Sequence, residues 1–117
     1  MEESEQTLID SMCPNEEAVR LRIYLGEDKR QGEIPLYRAI ISTARRLRLA
    51  GALVVRGTEG FGHSTRLHTS DVLFSEDLPV VVEIVDAPQK IAGLIASLDG
   101  AEGIGLMTYE PVTVLRC

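Results

Sequence analysis

The stretch Arg56-Gly57-Thr58-Glu59-Gly60-Phe61-Gly62-His63-Ser64 concentrates residue types that could hold an anion. Glycines at 57, 60 and 62 permit backbone turns that aim successive N–H groups at one point. Such a nest, with a guanidinium at Arg56 and hydroxyls at Ser64 and Thr65, suits a phosphate or another small anion. The spacing matches neither the Walker loop nor the dinucleotide fingerprint. A tight turn leaving an edge strand would use the same residues, so the spacing alone leaves both readings open.

Other constellations carry less chemistry. His63 and His68 are flanked by Glu59 and Asp71, types that suit several divalent ions, but two histidines on one loop do not make a metal site. Gly26-Glu27-Asp28 and Ser75-Glu76-Asp77 place adjacent carboxylates in turns, with nothing to orient them around a substrate. There is no nucleophile elbow and no Cys/His pair at a useful spacing. The residues therefore name no catalytic group, and the reading is of a protein that is not an enzyme. Arg20 and Arg22 read as solvated edge charges or inter-subunit ion pairs, with a nucleotide phosphate in a neighbouring subunit as the functional alternative. Cys13 and Cys117 are too few for a disulfide framework and lack metal-ligand spacing.

The elements that must carry these residues follow from periodicity. In Ala18 to Leu25, Val19, Leu21, Ile23 and Leu25 alternate with Arg20, Arg22 and Tyr24, which predicts a strand with one apolar face. Pro35 opens a helix whose apolar positions are Leu36, Ile40, Ala44 and Leu47, with arginines at 45, 46 and 48 in the last turn and Gly51 as its cap. Ala52 to Arg56 is a short strand, and the irregular stretch 57–77 follows it. Leu78 to Val85 is the strongest strand signal, with Val80, Val82 and Ile84 on one face, and Val81 and Val85 on the other, interrupted by Glu83. Asp86, with Gln89 three residues on, reads as the N-cap of a second helix bearing Ile91, Leu94, Ile95 and Leu98 and ending at Gly100. Ile104 to Leu115 is extended, with Pro111 marking an edge.

This order predicts an α+β, ferredoxin-like split βαβ fold (βαββαβ), with two helices on one face of a four-stranded antiparallel sheet. The other face would carry Val81 and Val85 uncovered, so the chain is expected to self-associate. At 117 residues, with 44% apolar and 26% charged residues, the chain is one globular domain. No apolar run approaches the roughly 18–20 residues that span a bilayer, and the N-terminus lacks the features of a secretory signal, so a cytoplasmic location is expected. The net charge of −6 belongs to one end: residues 1–17 hold six acids and no base. They read as a disordered acidic leader ahead of a domain at 18–117. Without a basic surplus or tryptophan, nucleic acid is not an expected partner.

Several short motifs, in order and at matching separations, resemble the PII-like bacterial and archaeal family catalogued as domain of unknown function 190. They are Leu21 to Glu27, Pro35-Leu36-Tyr37, Ala50-Gly51-Ala52, Arg56-Gly57, Gly60-Phe61-Gly62, His68-Thr69 and Ser75 to Val85. The similarity spans about residues 18–116. It implies a ferredoxin-like trimer of the kind formed by PII and divalent-cation-tolerance proteins, with the open sheet faces turned inward. It implies a signalling or regulatory role in which ATP, ADP or AMP binds between subunits and sets a long loop that engages a partner. That loop corresponds to 57–77, and the implied ligand-binding residues are Arg56, Gly57, Gly60, Phe61, Gly62, His63, Ser64 and His68. A membrane transporter or channel is the implied kind of partner, without insertion of the chain itself into the membrane. Regulation by uridylylation is not implied, because no tyrosine stands between Tyr37 and Tyr109. The alternative is a metal- or anion-handling trimer resembling the divalent-cation-tolerance proteins.

Overall fold

Residues 3–60, 68–69 and 78–116 are described in a computed structural model of the chain. The elements run α1 (Glu3–Met12), β1 (Asn15–Gly26), β2 (Arg30–Gln31), β3 (Ile34–Pro35), α2 (Leu36–Arg46), β4 (Ala52–Arg56), β5 (Glu59–Gly60), β6 (His68–Thr69), β7 (Pro79–Asp86), α3 (Pro88–Ser97) and β8 (Ile104–Leu115). β4, β7, β1 and β8 lie side by side in that order, and every neighbouring pair is antiparallel. The expected ferredoxin-like arrangement is therefore the observed one.

The alternation read from the sequence decides which side chains meet. Leu21, Ile23 and Leu25 on β1 and Val80, Val82 and Ile84 on β7 face the helices and are buried. Against them pack Leu36, Ile40 and Ala44 from α2, Ile91 and Leu94 from α3, and Leu98 just past its end, spaced three or four apart so that each set shares one helical face. Leu47, read as the next member of the α2 stripe, lies past the helix end and is exposed.

Two caps differ from the sequence expectation. α2 ends not at Gly51 but through Arg48, which takes the left-handed conformation at φ 62°, while the N–H of Leu49 donates to the carbonyl of Ala44 at 3.0 Å. Asp86 is the last residue of β7, and Ala87 occupies the N-cap of α3 with Pro88 in the first turn. The Asp86 carboxylate instead bridges two backbone donors, the N–H of Ala87 and the N–H of Ala50, each at 2.7 Å. It thus ties the α2–β4 connection to the start of α3.

The described elements begin ahead of residue 18. Residues Glu3–Met12 are helical, and β1 begins at Asn15. β1 and β8 pair from Asn15↔Leu115 inward, whereas β7 joins β1 only at Val19, so a two-stranded ribbon runs past the end of the sheet. Along it, the N–H of Arg116 donates to the Pro14 carbonyl at 2.8 Å, and Arg116 pairs with Glu16. Cys13 is disulfide-bonded, where the sequence reading offered only two cysteines too few for a disulfide framework; Cys117 lies outside the described residues. The ladder brings the two chain ends together, which separation along the chain could not show. No described helix is long and apolar enough to cross a membrane.

Arg48 is the described non-glycine residue with positive φ, and a side chain there strains the backbone. Arg48→Gly is expected to stabilise the chain by about 0.5–1 kcal/mol, after subtracting the added freedom of the unfolded state. The midpoint of thermal unfolding followed by circular dichroism should rise by a few degrees.

Candidate functional site

The candidate anion nest begins where β4 leaves the sheet. Arg56 pairs across the sheet with Val80, and the next N–H, that of Gly57, donates to the Pro79 carbonyl at 2.7 Å. A Cβ at Gly57 would stand 2.9 Å from Cγ of Pro79, so glycine here answers a close approach between two strands. Nearby, the N–H of Glu27 donates to the Leu78 carbonyl at 2.8 Å, and its carboxylate accepts from Arg56 Nη2 at 2.5 Å. The Arg56 side chain remains more than half exposed. Three segments thus meet at the root of the 57–77 stretch: the ends of β1 and β4 and the start of β7. Sequence reading missed Glu27 as the partner of Arg56, because only the sheet order brings these residues together.

The strands β5 and β6 close the root as a small ladder, Glu59 opposite Thr69 and Gly60 opposite His68. Of the sequence-predicted residues, Arg56, Gly57, Gly60 and His68 are therefore brought to one edge of the molecule. Phe61, Gly62, His63 and Ser64 lie outside the described residues. Among the described residues no group of three histidine, cysteine, aspartate or glutamate side chains could hold a metal.

The sheet face opposite the helices has a mixed character. Leu53 and Leu106 are 58% and 57% exposed, and Val55 is also exposed; Tyr24, Val81 and Val85 on the same face are half-buried. At its centre stands an ionic network. Arg20 is directly opposite Glu110 on β8, and Arg22 is directly opposite Glu83 on β7. Arg20 Nε donates to Glu110 Oε1 at 2.9 Å and Arg22 Nη1 to the same oxygen at 3.2 Å. Glu83 lies 3.7 Å from Arg20 and 3.8 Å from Arg22. The arginines read as solvated or inter-subunit charges are thus paired within one chain. Glu83, which breaks the apolar alternation of β7, was the signal in the sequence. Its partners became evident only with the strand order.

The hydrogen bond from Arg20, reinforced by the charges of Arg20 and Arg22, holds the Glu110 carboxyl below its ordinary range. The bond to Glu110 likewise raises Arg20. Two grooves mark the described surface. One of about 340 Å³ lies beside Arg30, Asp99 and Glu102, and one of about 410 Å³ lies between Leu53, Val85 and Val114. Neither of these two grooves is lined by Arg56 or Gly57.

This architecture is shared with known proteins. Residues 18–114 match the model of the family described as DUF190, Uncharacterized ACR. A UPF0166 protein of Aquifex aeolicus (strain VF5) is 33% identical over 96 residues, covering 81% of this chain and 90% of that protein. The chain belongs to this family. Among solved structures it is similar to CPII of Thiomonas intermedia K12, a nitrogen regulatory PII-like protein. In its complex with ADP, AMP and bicarbonate, the TM-score is 0.70 at 13% identity, covering 89% of this chain and 93% of that one. For the apo form of CPII the TM-score is 0.60 at 12% identity, covering 88% and 97%. These structural likenesses define a PII-like fold.

Two outcomes follow from the site. Gly57→Ala drives a Cβ into the Pro79 ring and is expected to cost about 1–2 kcal/mol, read as a lower urea midpoint at unchanged slope. Glu110 is held low in the folded state, so its contribution to stability is present above the ordinary glutamate range and is lost as pH falls through the lowered value. Glu110→Gln should remove that part of the acid dependence, seen as a flatter melting-temperature profile across the acid limb.

Proposed function

We propose that the chain is a non-enzymatic, PII-like regulatory protein of the cytoplasm. It works as a homotrimer that holds an adenine nucleotide between subunits and controls a partner, a membrane transporter or channel, through the loop at 57–77. The observation that carries this reading is the sheet face without helical cover. Leu53, Val55 and Leu106 stand exposed around the Arg20–Glu110 network, and burying that apolar area requires other copies of the chain. Crevices between copies would complete a site that one chain leaves open.

The class of ligand is supported by chemistry and by similarity. Arg56 offers an exposed guanidinium beside the glycine-bearing turn, which suits a phosphate oxygen. The CPII structure of like fold is bound to ADP, AMP and bicarbonate. A ligand that prefers one arrangement of the 57–77 loop shifts its population by the difference in affinity between arrangements. That difference is the signal passed to the partner.

Thermal unfolding with ATP, ADP and AMP, together with light scattering after size exclusion, tests both parts. A trimeric mass is expected, with an adenine nucleotide stabilising the fold by about 2.7 kcal/mol at a hundredfold excess over its dissociation constant. Arg56→Ala should abolish that shift while changing the ligand-free protein by only about 0–1 kcal/mol, since the Glu27 pair is partly exposed. A monomer at micromolar concentration would remove the crevices, and a melting temperature indifferent to all three nucleotides would remove the ligand.

A further inference from the structure

The helix α1 (Glu3–Met12) is fastened at its C-terminal end yet covered by no described element. It makes no substantial packing contact with any other described element. Its junction is nonetheless built. Asn15 Nδ2 donates to Asp10 Oδ1 at 2.7 Å, Gln6 Nε2 donates to the same oxygen at 3.0 Å, and the N–H of Cys13 donates to the Ile9 carbonyl at 3.2 Å. Below it the ribbon is fastened by the Arg116–Pro14 hydrogen bond and the Arg116–Glu16 ion pair. Glu5, Leu8 and Met12 recur at helical spacing and form one stripe. Leu8 is 59% exposed and Met12 70% exposed. An ordered helix presenting an acidic and apolar stripe to water lacks the burial that ordinarily stabilises a short helix.

The complementary surface lies on the same chain. At the end of α2, Leu47 is 41% exposed and is bracketed by the exposed Arg45, Arg46 and Arg48. Lys90 joins them from α3, where its Nζ donates to the Arg48 carbonyl at 3.1 Å. None of these four cations forms an ion pair among the described residues. An apolar side chain ringed by unpaired cations matches an apolar stripe on a segment whose first 17 residues carry six acids and no base. The ribbon carries α1 past the end of β7 without substantial contact to its own α2 or α3.

We infer that α1 of one copy docks on the basic patch around Leu47 of a second copy, with Leu8 and Met12 against Leu47, and with Glu5, on the same stripe, facing the cations of Arg45, Arg46, Arg48 and Lys90. Each chain holds one arm and one patch, so every arm in a closed ring of copies finds a patch on its neighbour. It involves neither the nest at Arg56 nor the open sheet face, and stands apart from the nucleotide reading.

Lysine occurs only at positions 29 and 90, so a carbodiimide that joins carboxylates to amines without a spacer reports the contact directly. After reaction of the full chain at low ionic strength, peptides joining Lys90 to Glu5 are expected in the covalent dimer and trimer bands and absent from the monomer band. Their yield should fall at least tenfold in Arg45→Glu/Arg46→Glu/Arg48→Glu, and should also fall in the unaltered protein at 0.5 M salt. The salt arm keeps the test independent of any folding defect in the variant. The same peptides confined to the monomer band would mean that the arm folds onto its own chain. Their absence, or a yield indifferent to both charge reversal and salt, would equally overturn the proposal. Light scattering on the same samples reads association separately, so loss of the cross-link in a protein that remains trimeric sinks only this contact.

Discussion

Burial of Leu21, Ile23 and Leu25 on β1 together with Val80, Val82 and Ile84 on β7, beneath α2 and α3, is the interaction on which the rest of the structure depends. These residues lie on adjacent central strands, and their buried side chains fill the space between one sheet and two helices. With one face so occupied, the pleat sends the intervening residues to the opposite face. Arg20, Arg22, Tyr24, Val81, Glu83 and Val85 therefore share a surface that no described helix covers.

That uncovered surface is neither simply polar nor simply apolar. Its centre is occupied by Arg20, Arg22, Glu83 and Glu110, which satisfy one another within the chain. Its flanks carry Leu53, Val55 and Leu106. An internally neutralised ionic centre can be brought against another copy without stranding a charge, whereas an unpaired arginine there would carry a heavy desolvation cost. The same strand order that builds this network places Arg56 beside Glu27 and draws Gly57 tight against Pro79. The root of the 57–77 stretch is thus a consequence of sheet assembly.

The ends of the chain add a second layer to this design. The β1–β8 ladder runs beyond the sheet and gives α1 a stiff mount, with Asp10 and Arg116 acting as its fastenings. At the same end, the Asp86 carboxylate binds the connection after α2 to the start of α3, and Lys90 reaches back to the Arg48 carbonyl. The basic end of α2 is thereby held in place by contacts outside the helix itself. Charge is segregated in this molecule, acids on the arm and cations at the α2 terminus, although the sequence from residue 18 onward is neutral.

Much of this was legible in the residues. Alternation in Ala18 to Leu25 and Leu78 to Val85, and the three-and-four spacing from Leu36 and from Ile91, determine the elements and the face each buries, because periodicity is a local property of the chain. The motifs shared with the PII-like family likewise pointed to the observed fold. The caps were misread, at Gly51 and at Asp86, because several neighbouring residues could end or start a helix and distant partners made the choice: Ala50 claims the Asp86 carboxylate from across the core-facing layer. Which charges pair was beyond local reading for the same reason. Arg20 and Glu110 are separated by 90 residues and meet only because β8 lies alongside β1. The sequence by itself determined the elements and their buried faces, since these follow from side-chain spacing. Only the tertiary structure decided the partners of Arg20, Arg56 and Asp86 and the placement of α1, since contacts between segments far apart along the chain depend on how the strands assemble.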